Sequence, residues 1–190
     1  HLDGAGNSNQ SSDITMLVDT VVPVFDLDTA SSASISRTVT AISTPANATS
    51  LQNPSGLALL TDNGQIGNVK VVVKNVRNGS SERLLVGNAD LDASGNVLTG
   101  PTASPSGSVL VNTTEWNWTY NRSGEFTFSR PFGETASVSE TQALVQSMSY
   151  RNTLGNSASD EARQFFITVT DEAGNASQTA TSTLAINLKA

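Results

Sequence analysis

The sequence has no cysteine. Disulfides, thiol catalysis and cysteine-ligated zinc are therefore excluded, and any domain without disulfides must be held by its core, by metal, or by both. Its one histidine is His1, at the chain end, so a buried Ser-His-Asp triad has no base to build on. Basic residues are scarce: 10 Lys and Arg stand against 17 Asp and Glu, a net charge of −7. Such a surface repels a phosphate backbone and anionic lipid, which argues against nucleic-acid partners and membrane binding. No apolar run approaches the ~20 residues of a membrane-spanning helix. No signal-peptide pattern is visible, and the chain reads as part of a longer polypeptide. No Asp or Glu pair lies in an apolar setting that suggests glycoside hydrolysis. An enzyme is therefore not expected.

What remains is a 190-residue chain, 37% hydrophobic, rich in Ser, Thr, Asn and Gly. It can build a core if apolar residues alternate along strands, since each strand then commits only one face to the interior. Asn-x-Ser/Thr sequons start at Asn47, Asn78, Asn112, Asn117, Asn121 and Asn175, as chance predicts in so Asn- and Thr-rich a chain.

Residues 1–12 carry almost no apolar side chains and read as a tail or linker, leaving 13–190 as one domain. Strand-like runs follow at Asp13–Val22, Ser34–Ile42, Val69–Val76, Leu84–Val86, Val109–Val111, Glu115–Tyr120, Gly124–Ser129, Arg163–Val169 and Thr179–Leu188. Asn88–Gly107, rich in Asp, Gly and Pro, reads as a long loop. One helix is expected: Ser137 and Glu140 fit a capping box, and Ala143, Leu144, Val145 and Met148 follow at helical spacing, with an end near Tyr150. About ten short strands, one short helix and many Asp/Gly/Asn turns predict an all-β fold, a β-sandwich with long loops.

The acidic residues fall mostly in turns. Calcium takes six to eight hard oxygen ligands, and calcium loops place Asp and Asn at alternate positions with Gly where the chain bends. Asp90, Asp92, Ser94 and Asn96 have that spacing, with Gly95 between; the bidentate Glu of an EF-hand is missing, since Pro101 stands in its place. Asp26 with Asp28, Asp62 and Asn63 before Gly64, and Asp171 and Glu172 with Asn175 are further candidate ligands. The competing reading is that turns collect Asp for their own backbone bonding. Trp116, Trp118 and Tyr120 alternate onto one face, either as core or as a stacking platform, with Arg122 close by.

Two stretches carry a resemblance. Leu144–Thr153 (LVQSMSYRNT) and Arg163–Asn175 (RQFFITVTDEAGN) resemble the cadherin-like, Ig-like sandwich repeats of bacterial RTX adhesins, which show a Tyr-x-Asn-Thr segment and then Arg-x-x-x-x-Thr-Val-x-Asp. Val69–Val86 is similar to the strand that precedes them. The long loop and aromatic strand go beyond an ordinary repeat, and the whole looks like the calcium-dependent peptide-binding domain of such adhesins. The resemblance implies an extracellular, monomeric module of a larger cell-surface adhesin in biofilm-forming bacteria. It also implies Ca2+ as cofactor and, as partner, a peptide or protein on a host or neighbouring cell, held by its free C-terminal end. Two further readings stay open: glycan binding on the aromatic face, and a structural extender stiffened by calcium.

Overall fold

A computed structural model describes residues 18–31, 34–42, 47–93, 105–121 and 124–187. Expectations placed on residues 1–12, on Ser94 and Asn96, and on Arg122 lie outside the described residues.

The fold is all-β, with one short α-helix. The strands are β1 (Val24–Asp26), β2 (Arg37–Ile42), β3 (Thr49–Ser50), β4 (Leu59–Thr61), β5 (Ile66–Lys74), β6 (Glu82–Val86), β7 (Ala89–Asp92), β8 (Ser106–Val111), β9 (Thr114–Asn121), β10 (Glu125–Ser129), β11 (Ser149–Asn152), β12 (Arg163–Asp171) and β13 (Ala180–Asn187). Helix α1 (Val138–Gln146) lies between β10 and β11. A seven-stranded sheet runs β2-β13-β12-β5-β10-β9-β8, a four-stranded sheet runs β3-β11-β6-β7, and β1 pairs with β4. Among the described residues every pairing is antiparallel except β13 with β2.

Alternation sets the core. β12 buries every second residue, Phe165, Ile167 and Val169 among them, and β5 does the same with Val69, Val71 and Val73. On the other sheet β6 turns Leu84 and Val86 inward. These residues belong to one continuous hydrophobic cluster between the two larger sheets. The rings of Tyr150 on β11 and Phe165 on β12 meet across it, edge to face, with centroids 5.7 Å apart.

A buried ion pair joins the sheets at one end of β6. Glu82 and Arg163 are both fully buried, and the guanidinium of Arg163 donates to both Glu82 oxygens at 2.8 Å. Each remaining site is filled. Glu82 also accepts from the backbone N–H of Arg77 and Asn78, each at 2.8 Å, and from the Tyr150 hydroxyl at 3.1 Å. Asn78 Oδ1 accepts from Arg163 at 3.1 Å and from Asn152 Nδ2 at 2.9 Å. Burial alone would lower the basicity of Arg163, but its bonds to Glu82 outweigh that and raise its pKa. Tyr150 is pushed above the ordinary phenol value, first by burial and then by the neighbouring Glu82 charge. Tyr150, Asn152 and Arg163 are three of the motif residues that carry the adhesin resemblance, and all three serve this network.

Two expectations need correction. The helix stops at Gln146, not near Tyr150, because Ser149–Asn152 pairs with β6 on one side and β3 on the other. The segment from Asn88 does not begin as a loop. Ala89–Asp92 is strand, joined to β6 by the two-residue turn Gly87-Asn88, in which Gly87 takes φ +54°.

Candidate ligand pocket and carboxylate cluster

β9 carries Trp116, Trp118 and Tyr120 on one face, and β10 sets Phe126 and Phe128 beside them in register. The three β9 rings do not share one environment. Trp116 is fully buried in the core, with its Nε1 unpartnered. Trp118 is half-buried, and Tyr120 is buried. The Trp118 and Phe126 rings lie 6.1 Å apart, and those of Tyr120 and Phe126 lie 4.6 Å apart, both pairs tilted.

Opposite these rings stands β7. Between the two sheets a pocket of about 170 Å³ opens, with Trp118, Tyr120 and Phe126 on one wall and Leu91, Asp90 and Asp92 on the other. Arg83 and Pro105 complete its lining. Asp92 is buried, and its charge adds to burial in raising the Tyr120 hydroxyl pKa, burial being the larger cause. Asp90 is held differently. Arg83 and Arg151 face each other directly across β6 and β11, and the Asp90 carboxylate bridges the two like charges. Arg83 Nε donates to it at 2.7 Å, Arg83 Nη2 donates to the Asp90 carbonyl at 2.6 Å, and Arg151 Nη2 bonds its second oxygen.

That arrangement bears on calcium. A carboxylate already neutralised by two guanidinium groups is a poor ligand for a cation. Asp90 therefore does not fit the ion-binding loop that its spacing suggests. The other candidates have local partners. Asp26 Oδ1 accepts from Asp28 N at 2.7 Å. Asp28 Oδ1 accepts from Ala30 N at 3.2 Å and from Asn53 Nδ2 at 2.6 Å. Buried Asp171 accepts from the backbone and side chain of Asn175, at 2.7 and 2.8 Å. These are turn-forming bonds of the kind short acidic side chains make.

Asp62 differs. Its Oδ2 accepts from Gly64 N at 3.1 Å, while its Oδ1 is buried with no hydrogen-bond partner. Three carboxylates lie near Gly64. Asp19 Oδ2, Asp62 Oδ2 and Glu172 Oε1 lie 3.3, 3.5 and 3.7 Å from the point a Cβ on that glycine would occupy. Among the described residues no group of three or more His, Cys, Asp or Glu side chains is placed to hold a metal ion. The orphaned Asp62 Oδ1 is a hard oxygen donor of the kind calcium takes, and it is not one of the three oxygens nearest Gly64. Asn63 Nδ2 reaches Asp19 Oδ1 at 3.4 Å, and Asn175 Nδ2 donates to the Asp19 carbonyl at 3.1 Å, so the chain entry is tied to both loops. Local spacing marked the turns at Asp62 and at Glu172 separately but gave no sign of Asp19 or that the three lie near one another, since they come from distant parts of the sequence.

No protein-family model, no curated protein and no solved structure matches the chain.

Proposed function

We propose that this chain is a calcium-dependent ligand-binding module of a bacterial surface adhesin, built on a cadherin-like or Ig-like sandwich, that takes a peptide group in the pocket between β7 and β9. One observation supports this above others. Residues from two sets singled out separately by the sequence, the aromatics Trp118 and Tyr120 and the carboxylates Asp90 and Asp92, line the same pocket. An apolar cleft with a few convergent polar groups is the usual form of a ligand site. Trp118 and Tyr120 act as walls; Trp116 supports them from the core.

Asp19, Asp62 and Glu172 would hold calcium, with Asn63 beside them. The ion would neutralise their mutual repulsion and tie the chain entry to the loops at 62–64 and 171–175. It serves stiffness here and lies apart from the pocket residues, none of which belongs to that cluster. The module is extracellular in this reading, since cell-surface adhesion requires it.

A library of C-terminal-end and internal peptides, presented to wild type and to Tyr120→Ala in calcium and in chelator, tests the proposal. Capture of a peptide family that Tyr120→Ala loses is expected. Retention of sugars on a glycan array, with no peptide captured, would replace the peptide reading by the glycan one, for which a half-exposed Trp118 ring is equally suited.

A further inference from the structure

The dipeptide Asn-Gly occurs twice in the chain, at Asn63-Gly64 and at Asn78-Gly79. A glycine after asparagine leaves the next backbone nitrogen unshielded by a Cβ. That nitrogen can then reach the asparagine side-chain carbon and expel its amide nitrogen. The fold treats the two sites in opposite ways.

Asn78 is locked. Its Oδ1 accepts from Asn152 Nδ2 at 2.9 Å, from Ser159 N at 3.0 Å and from Arg163 Nη2 at 3.1 Å, and its own N–H donates to Glu82 at 2.8 Å. Any rotation of that amide toward Gly79 N gives up bonds that complete the buried ion pair. Asn63 is held by far less. It is exposed in the turn between β4 and β5, and among the described residues its side chain makes one long bond, from Nδ2 to Asp19 Oδ1 at 3.4 Å. The nucleophile beside it already meets a base, since Gly64 N donates to Asp62 Oδ2 at 3.1 Å. Carboxylate oxygens of Asp19 and Glu172 lie near Gly64 as well. Together these charges repel hydroxide, so the proton of Gly64 N has to pass to a group of the protein. Asp62 is the group bonded to it.

We propose that Asn63 is a self-modifying site, which deamidates in the folded protein with Asp62 as base, while Asn78 is protected. Asp62 takes the proton of Gly64 N as this nitrogen bonds Asn63 Cγ. The Cγ–Nδ2 bond then breaks, and Nδ2 leaves as ammonia with the proton that Asp62 returns. Water opens the resulting cyclic imide at either carbonyl and leaves aspartate or isoaspartate at position 63. The net reaction is amide plus water to acid plus ammonia, with no oxidation or reduction. The product puts a carboxylate where Nδ2 had met Asp19 Oδ1. A donor becomes a repelling charge, and this tie between the chain entry and the turn is lost. The reaction needs neither metal nor ligand, so it stands apart from the function proposed above.

The test incubates the whole chain at neutral pH, folded or in urea. Peptide mapping follows both sites by the mass gain of amide-to-acid conversion and by isoaspartate labelling. In the folded chain Asn63 is expected to convert about tenfold or more faster than Asn78. In urea, where neither site has its folded neighbours, the two rates should converge. Asp62→Asn keeps an acceptor for Gly64 N but removes the base. It should slow Asn63 by about tenfold or more in the folded chain and leave the rate in urea unchanged. Asn63→Asp, measured in chelator so that calcium plays no part, should melt roughly 1–3 °C below wild type. Folded Asn63 converting no faster than Asn78 overturns the proposal. An Asp62→Asn rate equal to or above wild type shows that Asp62 restrains the turn, and the self-catalysed step fails. Melting of Asn63→Asp at or above the wild-type temperature overturns the loss of the tie.

Discussion

Glu82 and Arg163 show how single residues hold this fold. A buried ion pair is stabilising only when its remaining lone pairs and protons are satisfied, and here Arg77 N, Asn78 N, Tyr150 and Asn78 Oδ1 satisfy them. Arg163→Met removes the cation and leaves the Glu82 charge buried. The expected loss is about 3–5 kcal/mol, measured by urea unfolding; an unchanged midpoint would show that the network contributes nothing. Trp116 makes a contrasting case. Because it is fully buried, Trp116→Ala is expected to cost about 3–5 kcal/mol of stability. Trp118→Ala should instead act on ligand capture with a smaller stability change, and denaturant melts of the two variants separate these roles. Asp90 bridges two arginines at a partly exposed site, so Asp90→Ala is expected to cost only about 0.5–1 kcal/mol.

At the scale of elements, α1 depends on its first turn. The Ser137 side chain accepts from Glu140 N at 3.2 Å, and Glu140 Oε2 accepts from Ser137 N at 2.8 Å. Those bonds to Ser137 are the main reason the Glu140 pKa is held below its ordinary value of 4.5. A carboxylate with a depressed folded pKa adds stability above its unfolded pKa and loses it as pH falls through the folded value. Glu140→Ala should therefore be less stable than wild type at pH 7 by about 0.5–1 kcal/mol. The gap should close on acidification below the ordinary glutamate range. A gap that persisted at low pH would show that the carboxylate charge is not its source. The capping box was legible in the sequence because all its parts lie within four residues. The end of the helix was not. Ser149–Asn152 has no strong strand pattern of its own and becomes β11 only through its register with β6 and β3. The hairpin β6-β7 did have a local sign, the Gly87-Asn88 dipeptide between apolar runs, but the Asp-rich stretch after it reads equally well as loop.

For the whole molecule, the testable quantity is its response to calcium. A ligand at a hundred times its dissociation constant stabilises a fold by about 2.7 kcal/mol, which for a chain of this size raises the melting temperature by roughly 5–10 °C. Wild type is expected to show that rise and to lose it in chelator. Asp62→Asn combined with Asp19→Asn should abolish it, whereas Asp90→Ala should leave it intact. Equal melting of wild type with and without calcium would remove the metal from the proposal.

Composition and periodicity alone determined that this chain is all-β, lacks a disulfide framework and carries one capped helix, because alternation and caps act over a few residues. They also picked out the aromatic and acidic stretches. Only the tertiary structure decided their parts: that Trp116 is core while Trp118 and Tyr120 face a pocket, that Asp90 answers two arginines, and that Asp19, Asp62 and Glu172 gather at one turn. The reason is that charge pairing and burial depend on which strands become neighbours. That register is set by the packing of whole sheets and leaves no mark at the residues themselves.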